Sequence, residues 1–234
     1  MDVEKTNTFT LLLLEEADAY QRWIFERIRP YLKGTILEVG CGIGNLTGLI
    51  LNQGSVLATD VEANYLDLVC KKYGNHPNFI TGMIWDIQTD PQGKFDRTFD
   101  TILCSNVLEH IEGDVTVLRH FQNLLSEGGR LVLLVPALKW LYNQLDRDLG
   151  HVRRYTKKEL VSKMEQSGFR ILEASYFNPF GISGWFFNGS VLKRHLLPKH
   201  QVKIFNRMVP LFKSLEKVIP KWVGQSLIAA GEKA

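Results

Sequence analysis

Apolar residues in this chain gather into short runs, separated by segments in which they recur every three or four positions. The runs read as strands at Thr35–Val39, Ser55–Thr59, Asn78–Gly82, Thr98–Cys104, Arg130–Val135 and Phe169–Tyr176. Between them the helical period marks segments from about Asn45, from Asn64 to Tyr73, from Asp114 to Leu125 and from Thr156 to Gly168. The last of these has Thr156 as N-cap, Glu159 three residues on and Gly168 at its end. Such alternation predicts a mostly parallel sheet with right-handed crossovers and helices on both faces. Arg130–Val135 is apolar on both faces, as a buried central strand requires, and Gly128-Gly129 before it reads as a helix stop.

The two ends of the chain depart from this alternation. Ahead of the first strand, Ala19, Tyr20, Trp23, Ile24 and Ile28 recur near helical spacing and predict one helix over 15–31, with Pro30 near its end. Met1–Thr10 has no basic leader-type region, and Leu11–Leu14 is far too short an apolar run to span a bilayer. After the sixth strand, residues 176–188 place large aromatics among turn formers with no charge. Further on, Ile204, Phe205, Met208, Val209, Phe212, Leu215 and Ile219 predict one apolar helix face, with Lys203, Arg207, Ser214, Lys217 and Lys221 opposite and a break or kink at Pro210. Gln225–Ala230 is short and apolar, and reads as a last strand.

With 234 residues and 45% hydrophobic content, the chain is expected to form a single domain over 1–234, with 177–223 inserted as a cap. Cys41, Cys70 and Cys104 are odd in number, widely spaced and without a C-x-x-C pair, so no disulfide or zinc framework is expected and a cytoplasmic setting fits. The net charge of +3 hides a split: 177–223 carries +7 and the remainder −4. An acidic body argues against a nucleic-acid partner, while a basic, apolar cap suits a sheet cover, a dimer contact or an anionic lipid surface.

The chemistry-bearing stretch is Glu38-Val39-Gly40-Cys41-Gly42-Ile43-Gly44, a strand running into a carboxylate and three alternating glycines. Residues without a Cβ let the backbone turn sharply and approach a ligand closely, and the following helix aims its N-terminal amides into the same space. The dinucleotide fingerprint wants a glycine where Asn45 stands. The spacing resembles motif I of class I S-adenosylmethionine-dependent methyltransferases. Asp60 after the second strand, Trp85-Asp86-Ile87, the Ser105-Asn106-Val107-Leu108-Glu109-His110 run and Gly128-Gly129 extend the resemblance over about 34–176. It implies a Rossmann-like sheet of order 3-2-1-4-5-7-6 with an antiparallel seventh strand at Gln225–Ala230, a helical insertion between strands 6 and 7, and S-adenosylmethionine as cofactor. It also implies a cofactor site of Glu38, Gly40, Cys41, Gly42, Gly44, Asp60, Val61, Asp86, Ile87, Ser105, Asn106 and Val107, overlaid by the 15–31 helix with Tyr20 and Trp23. Asp60 can instead be an ordinary helix cap, and Asp86 an ordinary loop carboxylate.

On the acceptor side, His110 follows the fourth strand, where a base would stand, and His151 and Tyr155 lie in Leu149-Gly150-His151-Val152-Arg153-Arg154-Tyr155 beyond the fifth. Arg153 or Arg154 could hold an anion; equally, the segment could be a polar loop-to-helix junction and His110 a structural imidazole. No metal is expected, because Glu109-His110 with Asp146 or Asp148 lacks a clear ligand spacing. The 149–155 motif with Asn178, Trp185 and Gly224–Ile228 resembles bacterial type 11/12 methyltransferases, which implies acceptor contacts at Asn178 and Trp185. The expected function is O-methylation of a hydroxyl on a small molecule, sugar or lipid-linked glycan by a monomer or homodimer. N-methylation of an amine or peptide side chain, or a non-catalytic cofactor-binding subunit, are the alternatives.

Overall fold

The structure, a computed structural model, describes residues 3–216, 218 and 222–234. Its elements run α1 Val3–Glu15, α2 Asp18–Ile28, β1 Thr35–Val39, α3 Thr47–Ile50, β2 Ser55–Asp60, α4 Ala63–Tyr73, β3 Phe79–Ile84, β4 Phe99–Ser105 and α5 Asp114–Leu124. Then follow β5 Leu125–Pro136, α6 Gln144–Asp148, α7 Lys157–Gln166, β6 Phe169–Phe177, α8 Gly181–Phe186, α9 Lys199–Glu216 and β7 Ser226–Lys233. The seven strands form one sheet in the order β3-β2-β1-β4-β5-β7-β6. β7 is antiparallel to both neighbours and the other pairs are parallel. This is the Rossmann-like methyltransferase order.

Period-two alternation sorts each strand into the two faces of the sheet. Leu37, Val39, Leu131, Leu133 and Val135 pack with Phe121, Leu118, Leu160 and Met164 on the α5/α7 side. Ile36, Val132, Leu134 and Ile228 pack with Trp23, Ile28, Val209 and Phe212 on the α2/α9 side. Burial on both faces explains the continuous apolar run of β5, where charge and turn formers appear only at Ser126–Arg130.

Several boundaries differ from those the pattern predicts, for physical reasons. The 15–31 helix is the second of two: α1 precedes it, and its moderate polarity disguised it because it covers a cavity on one side only. α3 is one turn, not a helix from Asn45, since residues 42–46 form turns. Gly128-Gly129 does not stop a helix. α5 ends at Leu124, and β5 starts at once with Leu125 paired to Phe99, the register shifting before Arg130 pairs with Thr101. α9 continues through Pro210. Its expected single apolar face is divided, with Phe205, Val209 and Phe212 packed inward while Ile204 (54% exposed), Met208 (40%), Leu211 (53%) and Leu215 (39%) face outward. Ile219 of that expected face, and Lys217 and Lys221 of the opposite one, lie outside the described residues.

The 177–223 segment leaves the sheet at the end of β6 and re-enters it at β7, and its two ends meet. Asn178 O accepts the Gln225 N–H (3.1 Å) and Asn178 Nδ2 donates to Gln225 Oε1 (3.1 Å). Gly224 is buried there, and a Cβ on it would lie 2.3 Å from Phe177 O and 2.6 Å from Phe177 N. Gly224→Ala therefore forces apart backbone that cannot move singly. Its expected cost is about 1–3 kcal/mol, seen as a lower melting temperature in thermal denaturation of the purified chain.

Candidate active site

A cavity of about 840 Å³ opens beyond the carboxyl ends of the parallel strands and runs from the glycine turn to the cap. Its volume lies toward the upper end of the roughly 300–1,000 Å³ typical of small-molecule sites, room for a cofactor with an acceptor beside it. One end is built by the β1 turn. Gly40 (φ 67°) and Gly42 (φ 52°) take left-handed backbone, and a Cβ on Gly40 would sit 2.2 Å from Val107 Cγ2. Asp60 holds this turn: Oδ2 accepts the Gly42 N–H (2.8 Å) and Oδ1 the Glu62 N–H (3.1 Å). Glu38 is buried beneath, its Oε2 accepting the Thr47 hydroxyl (2.7 Å). Burial raises its pKa to about 8, partly opposed by that hydrogen bond. Burial also pushes the Cys41 thiol up, which keeps it protonated.

Glu38, Gly40, Cys41, Gly42, Asp60, Val61, Asp86, Ile87, Ser105, Asn106, Val107 and Tyr20 all line the cavity. Gly44 does not; its missing Cβ faces Tyr73 and Val69. Trp23 does not either. It is buried against Phe177 (ring centroids 4.7 Å apart) and donates from Nε1 to Glu216 (3.2 Å), so its place is in the core between α2 and α9. Residues missed from the sequence close this end: Asn7, Thr10, Leu11 and Leu14 of α1, whose Leu11 side chain packs over Gly42. The four-leucine run was the available signal.

The opposite end is organised by Asp146. Its Oδ1 accepts from Arg154 Nε (2.8 Å) and contacts His151 Nδ1 (2.9 Å); its Oδ2 accepts from the Asn143 N–H (3.0 Å) and Trp185 Nε1 (3.1 Å). Burial opposes its ionisation, yet the His151 hydrogen bond and the Arg154 charge prevail and hold the carboxyl below its ordinary range. His110, His151, Arg154, Asn178 and Trp185 line the cavity. Arg154 already spends Nε on Asp146 and Nη1 on Ala137 O (2.9 Å) and stacks over Trp185 at 5.0 Å, so it braces the wall and is not an open anion clamp. Asn178 Oδ1 accepts the Gly181 N–H (2.9 Å) at the start of α8.

Two expected site residues point elsewhere. Tyr155 is fully buried, donates its hydroxyl to Asp114 (2.9 Å) and has its ionisation pushed upward by burial and by that carboxylate; it does not reach the cavity. Arg153 pairs with the same Asp114 (3.0 Å) and with Glu112 O (3.0 Å), outside the cavity. Apolar packing of the Tyr155 ring, invisible in a polar motif, turns the end of this stretch into the core. Burial, and secondly the His151 charge, lowers the His110 pKa to about 4.

The family model described as a methyltransferase domain matches residues 15–174. This chain belongs to that family. It is a class I S-adenosylmethionine-dependent methyltransferase, with the strand order of that fold. A hybrid PKS-NRPS synthetase of Neonectria, iliA, is 31% identical over 125 residues, which is 50% of this chain but 3% of that protein. The methyltransferase thus spans a small fraction of the curated relatives that it matches. Among solved structures, an S-adenosylmethionine-dependent methyltransferase from Clostridium acetobutylicum shares the fold at TM-score 0.60 and 13% identity, covering 92% of this chain and 91% of that one. The CurJ carbon methyltransferase does so at 0.55 and 19%, covering 90% and 51%. The N-methyltransferase NodS of Bradyrhizobium japonicum, in complex with S-adenosyl-L-homocysteine, does so at 0.57 and 14%, covering 91% and 84%.

The cavity suits the cofactor on its own terms, since the methyltransferase's glycine turn leaves a space that a Cβ would fill and sets a buried carboxylate beside it. Glu38 also makes the free protein pH-sensitive. Its folded pKa, about 8, exceeds its ordinary 4.5, so the stability it contributes is complete below about 4.5 and is lost as pH rises through about 8. The melting temperature of the cofactor-free protein should fall across that window, about 2–4 °C for each kcal/mol lost. Glu38→Gln should flatten the decline, leaving the smaller share of Glu109, which burial raises to about 7.

Proposed function

We propose that this methyltransferase transfers the methyl group to an acceptor hydroxyl, as on a sugar, lipid-linked glycan or other small molecule, bound between the cofactor and the cap. The supporting observation is the Asp146–His151 pair on the cavity wall, which fixes Nδ1 and leaves Nε2 as an acceptor of hydrogen or charge. An alcohol must shed a proton to attack well, whereas a neutral amine need not do so first. The Gly40–Gly42 turn and the Ser105–Val107 backbone are assigned to the methionine end of the cofactor, Asp60 to the ribose, and Asp86 and Ile87 to the adenine. S-adenosylmethionine, when bound, would supply the methyl group from its sulfonium to the acceptor oxygen and leave as S-adenosyl-L-homocysteine, and the His110–His151 wall would pass the hydroxyl proton to solvent. This chain's residues align the oxygen, exclude water and ease that proton away.

The outward stripe of α9, Ile204, Met208, Leu211 and Leu215, has Lys203 and Arg207 beside it in a segment of charge +7. It supports presentation of the acceptor at an anionic lipid surface. Among the described residues, no helix is long and apolar enough to cross a membrane. A second reading, methylation of an acidic carbon, is favoured by the likeness to the CurJ carbon methyltransferase; it needs the same proton removal.

The test is incubation with methyl-labelled S-adenosylmethionine and a metabolite extract, followed by solvent partition and chemical identification of the product. Label on oxygen is expected, in the organic phase if the acceptor is lipid-linked. His151→Ala is expected to lower kcat/KM about 10²–10⁴-fold with the cofactor-induced thermal shift preserved. Full activity in that variant, or a product labelled only on an amine nitrogen, would overturn the hydroxyl reading.

A further inference from the structure

The wall beside Asp146 holds a polar group with no partner. Glu109 is fully buried at the end of the short turn after β4, and neither of its carboxylate oxygens has a hydrogen-bond partner. An orphaned carboxylate of this kind is costly and calls for a proton or a cation. Its neighbours are two imidazoles. His151 Nε2 lies 3.8 Å from Glu109 Oε1, and the His110 and His151 rings meet edge to face at 4.9 Å. One donor atom from each of Glu109, His110 and His151 lies within 4.8 Å of the others.

From this the geometry points to a binding site for a divalent first-row transition-metal ion, of the Zn²⁺ or Mn²⁺ class, held by Glu109, His110 and His151 at the acceptor end of the cavity. Two imidazole nitrogens and one carboxylate form a mixed set that favours such ions over Mg²⁺. Bonds of about 2.0–2.2 Å place two donors on one ion roughly 3–4.4 Å apart, so only small side-chain adjustments are needed.

Two further features belong to a built site. The first is tautomer control: His151 Nδ1 is engaged by Asp146, which frees Nε2 toward Glu109, the carboxylate–imidazole arrangement that commonly supports a metal ligand. The second is backbone bracing. The Val152 N–H donates to Glu109 O (2.9 Å), the His151 N–H to Asp146 O (2.9 Å) and the His110 N–H to Val107 O (3.0 Å), tying the two ligand-bearing segments together. Asp146 and Asp148, the carboxylates weighed beside Glu109-His110 in the sequence, are committed elsewhere, Asp146 to the four donors described and Asp148 to Gln144 and His195. His110 and His151 border the cavity, so coordination positions remain open toward an acceptor oxygen. With the ion bound, His151 Nε2 would be a ligand and the ion would activate the acceptor oxygen in place of the imidazole base; that role rests on the hydroxyl reading above, and the ion's binding does not.

The test is calorimetric titration of the chelator-treated full chain with Zn²⁺, Mn²⁺ and Mg²⁺, without any acceptor, so that failure of the hydroxyl reading leaves this result standing. One Zn²⁺ or Mn²⁺ per chain is expected, with Mg²⁺ much weaker. Asp146→Asn should weaken the ion about 10–100-fold, and Glu109→Gln by at least as much, with the cofactor-induced melting shift retained in Glu109→Gln as proof of folding. The inference is overturned if the parent chain takes up no stoichiometric ion, if Mg²⁺ binds as tightly, or if folded Glu109→Gln binds Zn²⁺ or Mn²⁺ as tightly as the parent. In those outcomes Glu109 is a buried protonated carboxyl and nothing more.

Discussion

The cap end of the cavity depends on one buried carboxylate. Asp146 gathers donors from its own helix start, from the 149–155 loop and from the cap, so three separately encoded segments share one anion. A buried charge is tolerated only when every lone pair is engaged, and Asp146 meets that condition with Arg154 as its countercharge. The arrangement couples elements that the sheet does not hold together: α6 to the His151 loop, and both to Trp185 of α8. Loss of any one donor would cost more than its own hydrogen bond, because the remaining charge would stay buried and incompletely paired.

The glycine-turn end works by the opposite device, a shortage of side chain. Where Asp146 fills space with donors, the β1 turn clears it, and Asp60 is left to fix the turn by accepting the Gly42 amide. Glu38, beneath the turn, has its pKa raised to about 8 by burial, partly opposed by the Thr47 hydroxyl. The N-terminal helix completes this end, with Leu11 lying over Gly42. One half of the cavity is therefore preset by polar networks and the other by backbone shape.

Legibility from sequence followed the same division. The strands, their alternation with helices and the glycine turn were readable because they rest on local rules, period-two apolar runs and backbone that only glycine adopts easily, while the strand order came from the family resemblance. Asp60, Asp86 and the Ser105–Val107 run could be placed because each follows a strand. What escaped depends on contacts distant in sequence. Trp23 looks like a cofactor aromatic until Phe177 and Glu216 claim it, and Tyr155 looks like a catalytic phenol until Asp114 does. Glu109, His110 and His151 converge only because the loop after β5 folds back onto the turn after β4. α1 was missed because a helix whose apolar side covers a cavity lacks the steady stripe of one that covers a core.

The join between Asn178 and Gln225 has an evolutionary consequence. The cap begins and ends at residues bonded to each other, so the sheet experiences it as a closed loop of fixed footprint. The entropic cost of closing such a loop changes slowly with its length. The outward-facing parts of the cap can therefore lengthen, shorten or be recast at little cost to β6 and β7, whereas Val209 and Phe212, packed with Ile228, and Gly224, pressed on Phe177, must keep their places; the family match ends at residue 174, just short of the cap. The cap is thus the part of this chain whose recasting would reshape the cavity wall opposite the glycine turn while leaving the sheet and that turn as they are.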